Sequence, residues 1–329
     1  MKENKFLRYD DAVWNVSGLF VHDRAILFFY DLMQSCGFKL NLTVHGNMPC
    51  KWNSGRVIKS VDEKYQKWCL DEYAARNIPV LLTFSNYTLT ERDLEDRPSN
   101  RILEWISHKD GNGVIISSPI LTRYIHQKYP HLLLYSSILK VVHEHGKGDI
   151  DYYNKLTEKF DRVVLHPDDG FNIDFIEKLE RKEKIEVLIN ENCVRNCMFR
   201  EEHCDIVCEY YQQERRKEYF EKLNRFKREK CQSIQDIVSL KQFLQGKRDT
   251  CNMTYEELKK VYERGYRLFK VQGRSLSTSS MIYDLIRYIT VGERSAILYK
   301  MIMDRICTEL SEEEDKRRLS ILYDEWERI

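Results

Sequence analysis

The sequence predicts a (β/α)8 barrel, an α/β fold in which eight parallel strands close into a TIM-like cylinder. Eight short apolar or β-branched runs recur along the chain, and segments with helical spacing separate most of them. Several runs are continuously apolar, as expected for parallel strands buried on both faces. The alternative is an open doubly wound sheet, but no GxGxxG motif lies at a strand–helix turn to support a dinucleotide-binding sheet.

Eight runs are predicted to be strands because they are rich in long apolar and β-branched side chains. In chain order they are residues 12–20, 38–44, 79–84, 114–116, 131–135, 162–165, 185–189 and 266–271. Helices are predicted where apolar residues recur every three or four positions. These segments are 61–77, 101–108, 120–129 and 173–182. A capping-box pair, Thr254 and Glu257, begins a further helix that Gly265 ends.

The gap between the seventh and eighth predicted strands is the longest, and we interpret it as an insert rich in cysteine. Six of the ten cysteines lie there, at positions 193, 197, 204, 208, 231 and 251. It also contains a basic helix, 215–230, which is either an RNA contact or a solvated helix face. The predicted plan is a barrel over residues 1–280 that includes the insert at 198–260, followed by a helical extension over 281–329.

The composition is that of a folded globular chain, with 42% hydrophobic and 32% charged residues and a net charge of +1. The small net charge argues against a general polyanion binder. No apolar run approaches the roughly 20 residues that cross a bilayer, so no membrane span is expected. The polar start lacks the apolar core of a secretory signal. We therefore expect a cytoplasmic protein whose cysteines are free thiols or metal ligands.

Polar residues follow the predicted strands, and the C-terminal strand ends carry the active site of a (β/α)8 barrel. The expected catalytic residues are His166, Asp168 and Glu191. The residues expected to bind a polar, anionic small molecule are His45, Asn53, Arg56, Asn190 and Arg274. Of these, Arg274 ends the motif FKVQGR, where it could hold a carboxylate or phosphate through two hydrogen bonds. The alternative for each is ordinary loop polarity or helix capping.

The motif NENCVRNCMFREEHC places Cys193 and Cys197 four positions apart. If this turn is helical, both thiols lie on one face, which suits a soft metal or a cluster. Further ligands would come from Cys204, Cys208, His203, Cys231 or Cys251. Iron–sulfur clusters tolerate irregular spacing better than zinc sites do, and buried thiols without a metal are the third possibility. No GxSxG or HExxH motif supports a serine hydrolase or a zincin.

The order of these motifs resembles that of peptidase family U32, the collagenase-like peptidases. In that family a late strand leads into a cysteine motif, and a further cysteine precedes a strand close to FKIEGR. Here IEVLINEN leads into Cys193, and Cys251 precedes FKVQGR. The sequence departs from the family in its ENCVRNC motif and in Gln272, which replaces the glutamate of FKIEGR.

The resemblance implies a barrel with a 4Fe–4S cluster on four cysteines. Cys193 corresponds to the first ligand and Cys251 to the last, with Cys197 and Cys231 as the expected middle pair and zinc as the alternative metal. The implied activity is oxygen-independent hydroxylation of a small molecule or an RNA base. Two alternatives stay open. One is a metal-assisted peptidase or other hydrolase, with Asp168 or Glu191 as general base. The other is a non-catalytic subunit in a heterodimer with a protein partner.

Overall fold

The computed structural model of the protein describes residues 6–54, 61–209, 216–231, 250–273 and 276–309. The chain divides into two compact units. The larger comprises Asp11–Val21 and Asn41–Arg274 and contains the barrel strands. The smaller comprises Met1–Asp10, His22–Leu40 and Ser275–Ile329, and its described part is largely helical. Each unit is described on its own below.

Eight parallel strands close into a cylinder, which confirms the predicted fold. They are β1 (Val13–Ser17), β2 (Asn41–Gly46), β3 (Val80–Phe84), β4 (Gly113–Ile116), β5 (Leu133–Ser136), β6 (Arg162–Val164), β7 (Ile185–Leu188) and β10 (Leu268–Val271). Strand β1 pairs with β2 on one side and with β10 on the other, so the cylinder has no open edge. Every strand of the cylinder lies within, or within two residues of, a run predicted from the sequence.

Strands β4, β7 and β10 are buried along their whole length, which explains why these runs lack the alternation of a half-exposed strand. Gly113 opens β4 opposite Leu133 of β5. A Cβ atom at Gly113 would collide with the carbonyl oxygen of Leu133. The glycine therefore allows these two strands to approach closely enough to pair.

Helices follow the barrel strands along the chain. They are α1 (Asp23–Ser35), α2 (Glu63–Ala75), α3 (Arg97–Ser107), α4 (Pro119–Lys128), α5 (Ile138–Glu144), α6 (Ile150–Lys159), α7 (Ile173–Glu177), α8 (Arg200–Cys208), α9 (Arg216–Glu229), α10 (Tyr255–Glu263), α11 (Thr278–Ile289) and α12 (Arg294–Glu309). Helix α7 is shorter than predicted. The chain turns after Glu177 and makes a 3₁₀ turn at Lys182–Lys184 before β7.

Side-chain caps begin several of these helices directly after a strand. Ser118 follows β4 and accepts a hydrogen bond from the backbone N–H of Leu121, with Pro119 as the first helical residue. Ser137 follows β5 and caps α5 in the same way through the N–H of Leu139. Capping therefore accounts for part of the polarity at the strand ends.

The smaller unit joins the start of the described chain to α11. Leu7 forms an antiparallel bridge with Thr290, and the Arg8 guanidinium donates to the carbonyl oxygens of Arg287, Tyr288 and Thr290. Helices α11 and α12 follow each other in this unit, in agreement with a helical C-terminal region as far as residue 309, whereas residues 310–329 of the predicted extension lie outside the described residues. Across the residues that the structure describes, no helix combines the length and the apolarity needed to span a membrane.

The insert begins with a strand, which the sequence did not predict. After β7 the chain continues into β8 (Asn190–Val194), which pairs antiparallel with β9 (Thr250–Asn252) in a separate two-stranded sheet. Cys193 lies in β8, and the chain turns at Asn196 with a φ of 52°. Cys193 and Cys197 are therefore not joined by a helical turn, the condition under which the sequence placed both thiols on one face. The two residues approach each other through a tight turn instead.

Candidate functional site

The candidate site lies beyond the C-terminal ends of β6 and β7, the end where (β/α)8 barrels carry their active sites. The loop after β6 supplies His166 and Asp168, and the segment after β7 enters β8 with Glu191 and Cys193. Strand β9 pairs Cys251 with Glu191 across the small sheet. Residues that are far apart in the sequence thus meet at one edge of the barrel.

Three of the four cysteines proposed as ligands face one buried arginine, Arg200 at the start of α8. We call Cys193, Cys197 and Cys251 the thiol cluster. The thiols of Cys193 and Cys197 are hydrogen-bonded to each other. The Arg200 Nη2 atom lies 3.5 Å from the sulfur of Cys251 and donates to the carbonyl oxygen of Val194 at 3.2 Å. The positive charge of Arg200 therefore favours thiolate at these cysteines.

The thiols of the cluster differ in acidity because their surroundings differ. The hydrogen bond from Cys193 lowers the pKa of Cys197 and raises the pKa of Cys193, so Cys197 carries the thiolate of the pair. Burial raises the pKa of Cys251 to about 12, against the opposing effect of Arg200. The cluster therefore holds one readily formed thiolate beside two protonated sulfurs.

Asp168 links the thiol cluster to the barrel. Its Oδ1 atom accepts the backbone N–H of Asn196 at 2.8 Å and lies 3.6 Å from the Cys251 sulfur and 3.9 Å from Arg200 Nη2. Its Oδ2 atom lies 3.6 Å from the ammonium group of Lys147. The carboxylate is therefore held between two cations. This arrangement suits a residue that orients the turn at Asn196 better than a residue that exchanges protons with a substrate.

His166 is a buried neutral imidazole. Its Nδ1 atom accepts the backbone N–H of Asp168 at 3.2 Å, which leaves the proton on Nε2. Burial, followed by the charge of Arg200, lowers the pKa of His166 to about 4. A neutral imidazole at this position can accept a proton from a ligand or hold it through a hydrogen bond.

One polar atom of the site is a buried donor without a partner among the described residues. Arg200 Nε is buried and has no hydrogen-bond acceptor in the described part of the chain. An unpaired donor on a buried guanidinium is costly, so such an atom normally meets water, an ion or a ligand. The site thus offers one free hydrogen-bond donor on a cation directly beside the thiol cluster.

The other predicted site residues are spread over several environments. Asn190 joins β8 to the end of β10 through two hydrogen bonds with the backbone of Gln272, and the Gln272 side chain donates to Glu191 at 3.2 Å.

His45 is buried and donates from Nδ1 to the side-chain oxygen of Asn15 at 2.8 Å, at the barrel interior. Asn53 donates to Met48 within its own loop. Arg56 and Arg274 lie outside the described residues.

Cys231, the fourth proposed ligand, lies in a different environment. It is partly buried against an apolar group of α8 and α9 that includes Ile206, Tyr219 and Phe226. Within residues 6–54, 61–209, 216–231, 250–273 and 276–309, no three His, Cys, Asp or Glu side chains are arranged to hold a metal ion. The donor chemistry of the thiol cluster is that of a thiolate-bound centre, but its three sulfurs are not arranged around a common metal position in the described residues, and Cys231 lies elsewhere.

The sequence did not reveal Arg200 or Lys147 as site residues. Arg200 is one of many arginines, and only its position at the first turn of α8, after a tight turn, directs it to the thiols. A weak signal existed, because REEHC places a cation at a helix start where an acidic residue is usual. Such a cation needs a local anion, and the thiol cluster with Asp168 provides one.

The chain is similar to a solved structure described as the U32 peptidase Mk0906. The TM-score is 0.42 at 10% sequence identity, and the match covers 70% of this chain and 84% of that chain. No protein-family model matches the sequence, and no curated protein is similar to it at a significant level. The solved protein carries the name of the family that the cysteine and FKVQGR motifs resemble. A similarity this distant carries no argument about activity, so function must be argued from the site.

Proposed function

We propose that the protein is an iron–sulfur enzyme that modifies an anionic small molecule or an RNA base at the rim of its barrel. The observation that supports this proposal is the convergence of three thiols, from β8, the following turn and β9, around the buried guanidinium of Arg200. Cys193, Cys197 and Cys251 would hold the cluster. A bound iron–sulfur cluster would supply one-electron transfer next to the substrate.

The protein residues have separate roles in this proposal. Arg200 offers its Nε donor to an anionic group, and the ammonium of Lys147 adds a second positive charge on the other side of Asp168. Neutral His166 hydrogen-bonds to the substrate or accepts its proton. Glu191, held by Gln272, keeps β8 close to the end of β10. These groups explain why an anionic substrate would bind despite the small net charge of the chain.

Metal content tests the proposal directly. We expect the full-length chain, reconstituted anaerobically with iron and sulfide, to retain both after desalting. Cys193→Ser, Cys197→Ser and Cys251→Ser should each lower the bound iron, because each removes a thiolate ligand. Cys231→Ser shows whether the fourth ligand is the cysteine that packs against the apolar group of α8 and α9.

Matched controls distinguish the loss of a metal ligand from the loss of any cysteine. Cys36→Ser removes an exposed cysteine and Cys69→Ser a buried one, both outside the thiol cluster, and both variants should keep the wild-type iron content. An iron-free wild-type chain after reconstitution, or iron that survives all three cluster substitutions, would contradict the proposal. Zinc measured in the same samples distinguishes the alternative metal.

The contacts between His166 and Asp168 support a second candidate, a metal-assisted hydrolase. In that case Asp168 would act as general base, and Asp168→Asn should abolish hydrolysis of a peptide library without lowering bound metal. Asp168 is already engaged by Asn196, Lys147 and Arg200, so its carboxylate is a less available base than the free side chain would be. For this reason we rank the hydrolase second.

A further inference from the structure

A second group of reactive side chains lies on α5 and α8, with no residue in common with the thiol cluster. The Cys208 sulfur lies 3.6 Å from His143 Nε2, and His143 Nδ1 lies 3.0 Å from the Asp205 carboxylate. The imidazole therefore contacts a thiol through one nitrogen and a carboxylate through the other. This is the order of contacts found in cysteine nucleophile sites.

Helix geometry explains why the three residues meet. Asp205 and Cys208 are three positions apart on α8, so both side chains lie on the same face. That face packs on α5, where Cys204, one turn before Cys208, contacts Leu139 and Val142. The same packing brings the last turn of α5, with His143, against Cys208 and Asp205. No local sequence motif signals this arrangement, because it depends on two separate helices.

The group lies at the catalytic end of the barrel. The Cys208 sulfur is 3.9 Å from the carbonyl oxygen of Ser85, the first residue after β3. The ring of Tyr87, two residues further on, stacks on the His143 ring with centroids 4.7 Å apart. Helix α5 itself begins directly after β5. Cys208 and His143 are thus held beside C-terminal strand ends, where (β/α)8 enzymes perform their chemistry.

We propose that Cys208, His143 and Asp205 form an acyl-transfer site, in which Cys208 is the nucleophile, His143 the base and Asp205 a positioning residue. The thiol proton passes to His143 Nε2 while the sulfur attacks the carbonyl carbon of an ester or amide. His143 then returns the proton to the departing alcohol or amine, and the acyl group remains on Cys208 as a thioester. Water, deprotonated by the same imidazole, releases the acid and restores the thiol.

The charges around His143 define the substrate class. Burial lowers the pKa of His143, so the imidazole is neutral and able to accept the thiol proton, and the carboxylates of Asp205, Glu201 and Glu144 partly oppose this effect. Tyr87 has a raised pKa and stays uncharged. Glu144 is paired with the ammonium of Lys140, one turn earlier on α5, which offsets its negative charge at the base. The carboxylates of Asp205 and Glu201 would still repel an anionic acyl group, so the site suits neutral or cationic esters and amides, in contrast to the Arg200 guanidinium beside the thiol cluster.

Cys204, one turn earlier on the same helix, provides a matched comparison for Cys208. Both sulfurs belong to buried residues, with Cys204 at 2% and Cys208 at 1% exposure. Cys204 packs against aliphatic side chains, whereas Cys208 meets an imidazole that a half-exposed carboxylate orients. Burial alone does not require the contact between Cys208 and His143. The low exposure of Cys208 means that only a small acyl donor should react.

Acetylation by p-nitrophenyl acetate tests this proposal on the full-length chain. We expect a burst of nitrophenol and a single acetyl group that peptide mass spectrometry assigns to Cys208. Cys208→Ala should remove the burst, and Cys204→Ala, the matched control, should keep it. His143→Gln should slow acetylation of Cys208 by about 10²- to 10⁴-fold, the usual contribution of a general base. Acetylation at Cys204, or a Cys208 rate unchanged in His143→Gln, would overturn the proposal.

A pH profile distinguishes activation from loss of structure. In the wild type, the rate at which iodoacetamide alkylates Cys208 should rise with pH below the ordinary thiol range near 8.5. In His143→Gln and Asp205→Asn, the pH at which the alkylation rate rises should move up toward that range, while circular dichroism shows an unchanged fold. Identical profiles in all three proteins would contradict the assignment. The burst should persist in Cys193→Ser, so that failure of the iron–sulfur proposal and failure of this one remain separate outcomes.

Discussion

Single residues acquire their chemistry here from what is buried next to them. Arg200 lies among three thiols and Asp168, and this neighbourhood turns an ordinary arginine into the charged centre of the site. His166, close by, becomes a neutral imidazole for the opposite reason, because burial and the same cation disfavour its charged form. The sequence pointed to His166 and Asp168 from their position after a strand, but their protonation depends on Arg200, which the sequence did not single out.

The lowered pKa of His166 makes a prediction about stability. The unfolded chain binds a proton to this imidazole near pH 6.5, whereas the folded chain does so only near pH 4. The unfolded state is therefore favoured increasingly as the pH falls between these values, and the free energy of unfolding should decrease by up to about 3 kcal/mol over this window. Above pH 6.5 this contribution is fully present.

Substitution of His166 by glutamine should reduce that pH dependence, since glutamine carries no proton to titrate. Urea unfolding at about pH 7.5, 6.5, 5.5 and 4.5 measures this dependence. His126→Gln, which removes an exposed histidine of α4, serves as the control and should keep the wild-type slope. An equally steep decline in His166→Gln would show that other groups cause the acid sensitivity.

At the scale of elements, local sequence was most informative where one segment forms by itself. The capping box at α10 was predicted and is present, because Thr254 and Glu257 need only each other's backbone and side chain. Helix α5 was not predicted, since its seven residues give too short a pattern to show helical spacing. Strand β8 was missed because its partner β9 lies across the whole insert.

Thr254→Ala should destabilise the protein by about 0.5–2 kcal/mol, because it removes the side-chain acceptor for the Glu257 N–H and the donor to its carboxylate. Thermal or urea unfolding measures the loss. Thr254→Ser keeps the hydroxyl and should remain close to the wild type. If alanine and serine variants are equally stable, the capping box contributes nothing to the free energy of unfolding.

At the scale of the whole molecule, closure of the barrel brings four polar residues together in its interior. Asn15 of β1 donates to Glu186 of β7 at 2.8 Å and accepts from His45 of β2, and the Lys270 ammonium of β10 lies 3.6 Å from Glu186. These strands are the ones that close the cylinder. His45, expected at the substrate site from its place at a strand end, thus also takes part in a network across the closing strands.

Lys270→Met should destabilise the protein by about 3–5 kcal/mol, because it leaves the carboxylate of Glu186 buried without its cation. The double variant Lys270→Met with Glu186→Gln should recover part of this loss, since the uncompensated charge is gone. Denaturant midpoints of both single variants, the double variant and the wild type form a double-mutant cycle. Simple additivity of the two losses would contradict the coupling that we infer from the geometry.

The sequence by itself determined the barrel, since each of its eight strands and many helices follow from patterns that lie within a few consecutive residues. It also placed His166, Asp168 and Glu191 at strand ends, because parallel strands all end at the same rim. Only the tertiary structure decided which thiols meet Arg200, that Cys231 packs elsewhere, and that Cys208 faces His143. Those contacts join segments far apart in the chain, so their energies arise from packing and leave no local pattern to recognise.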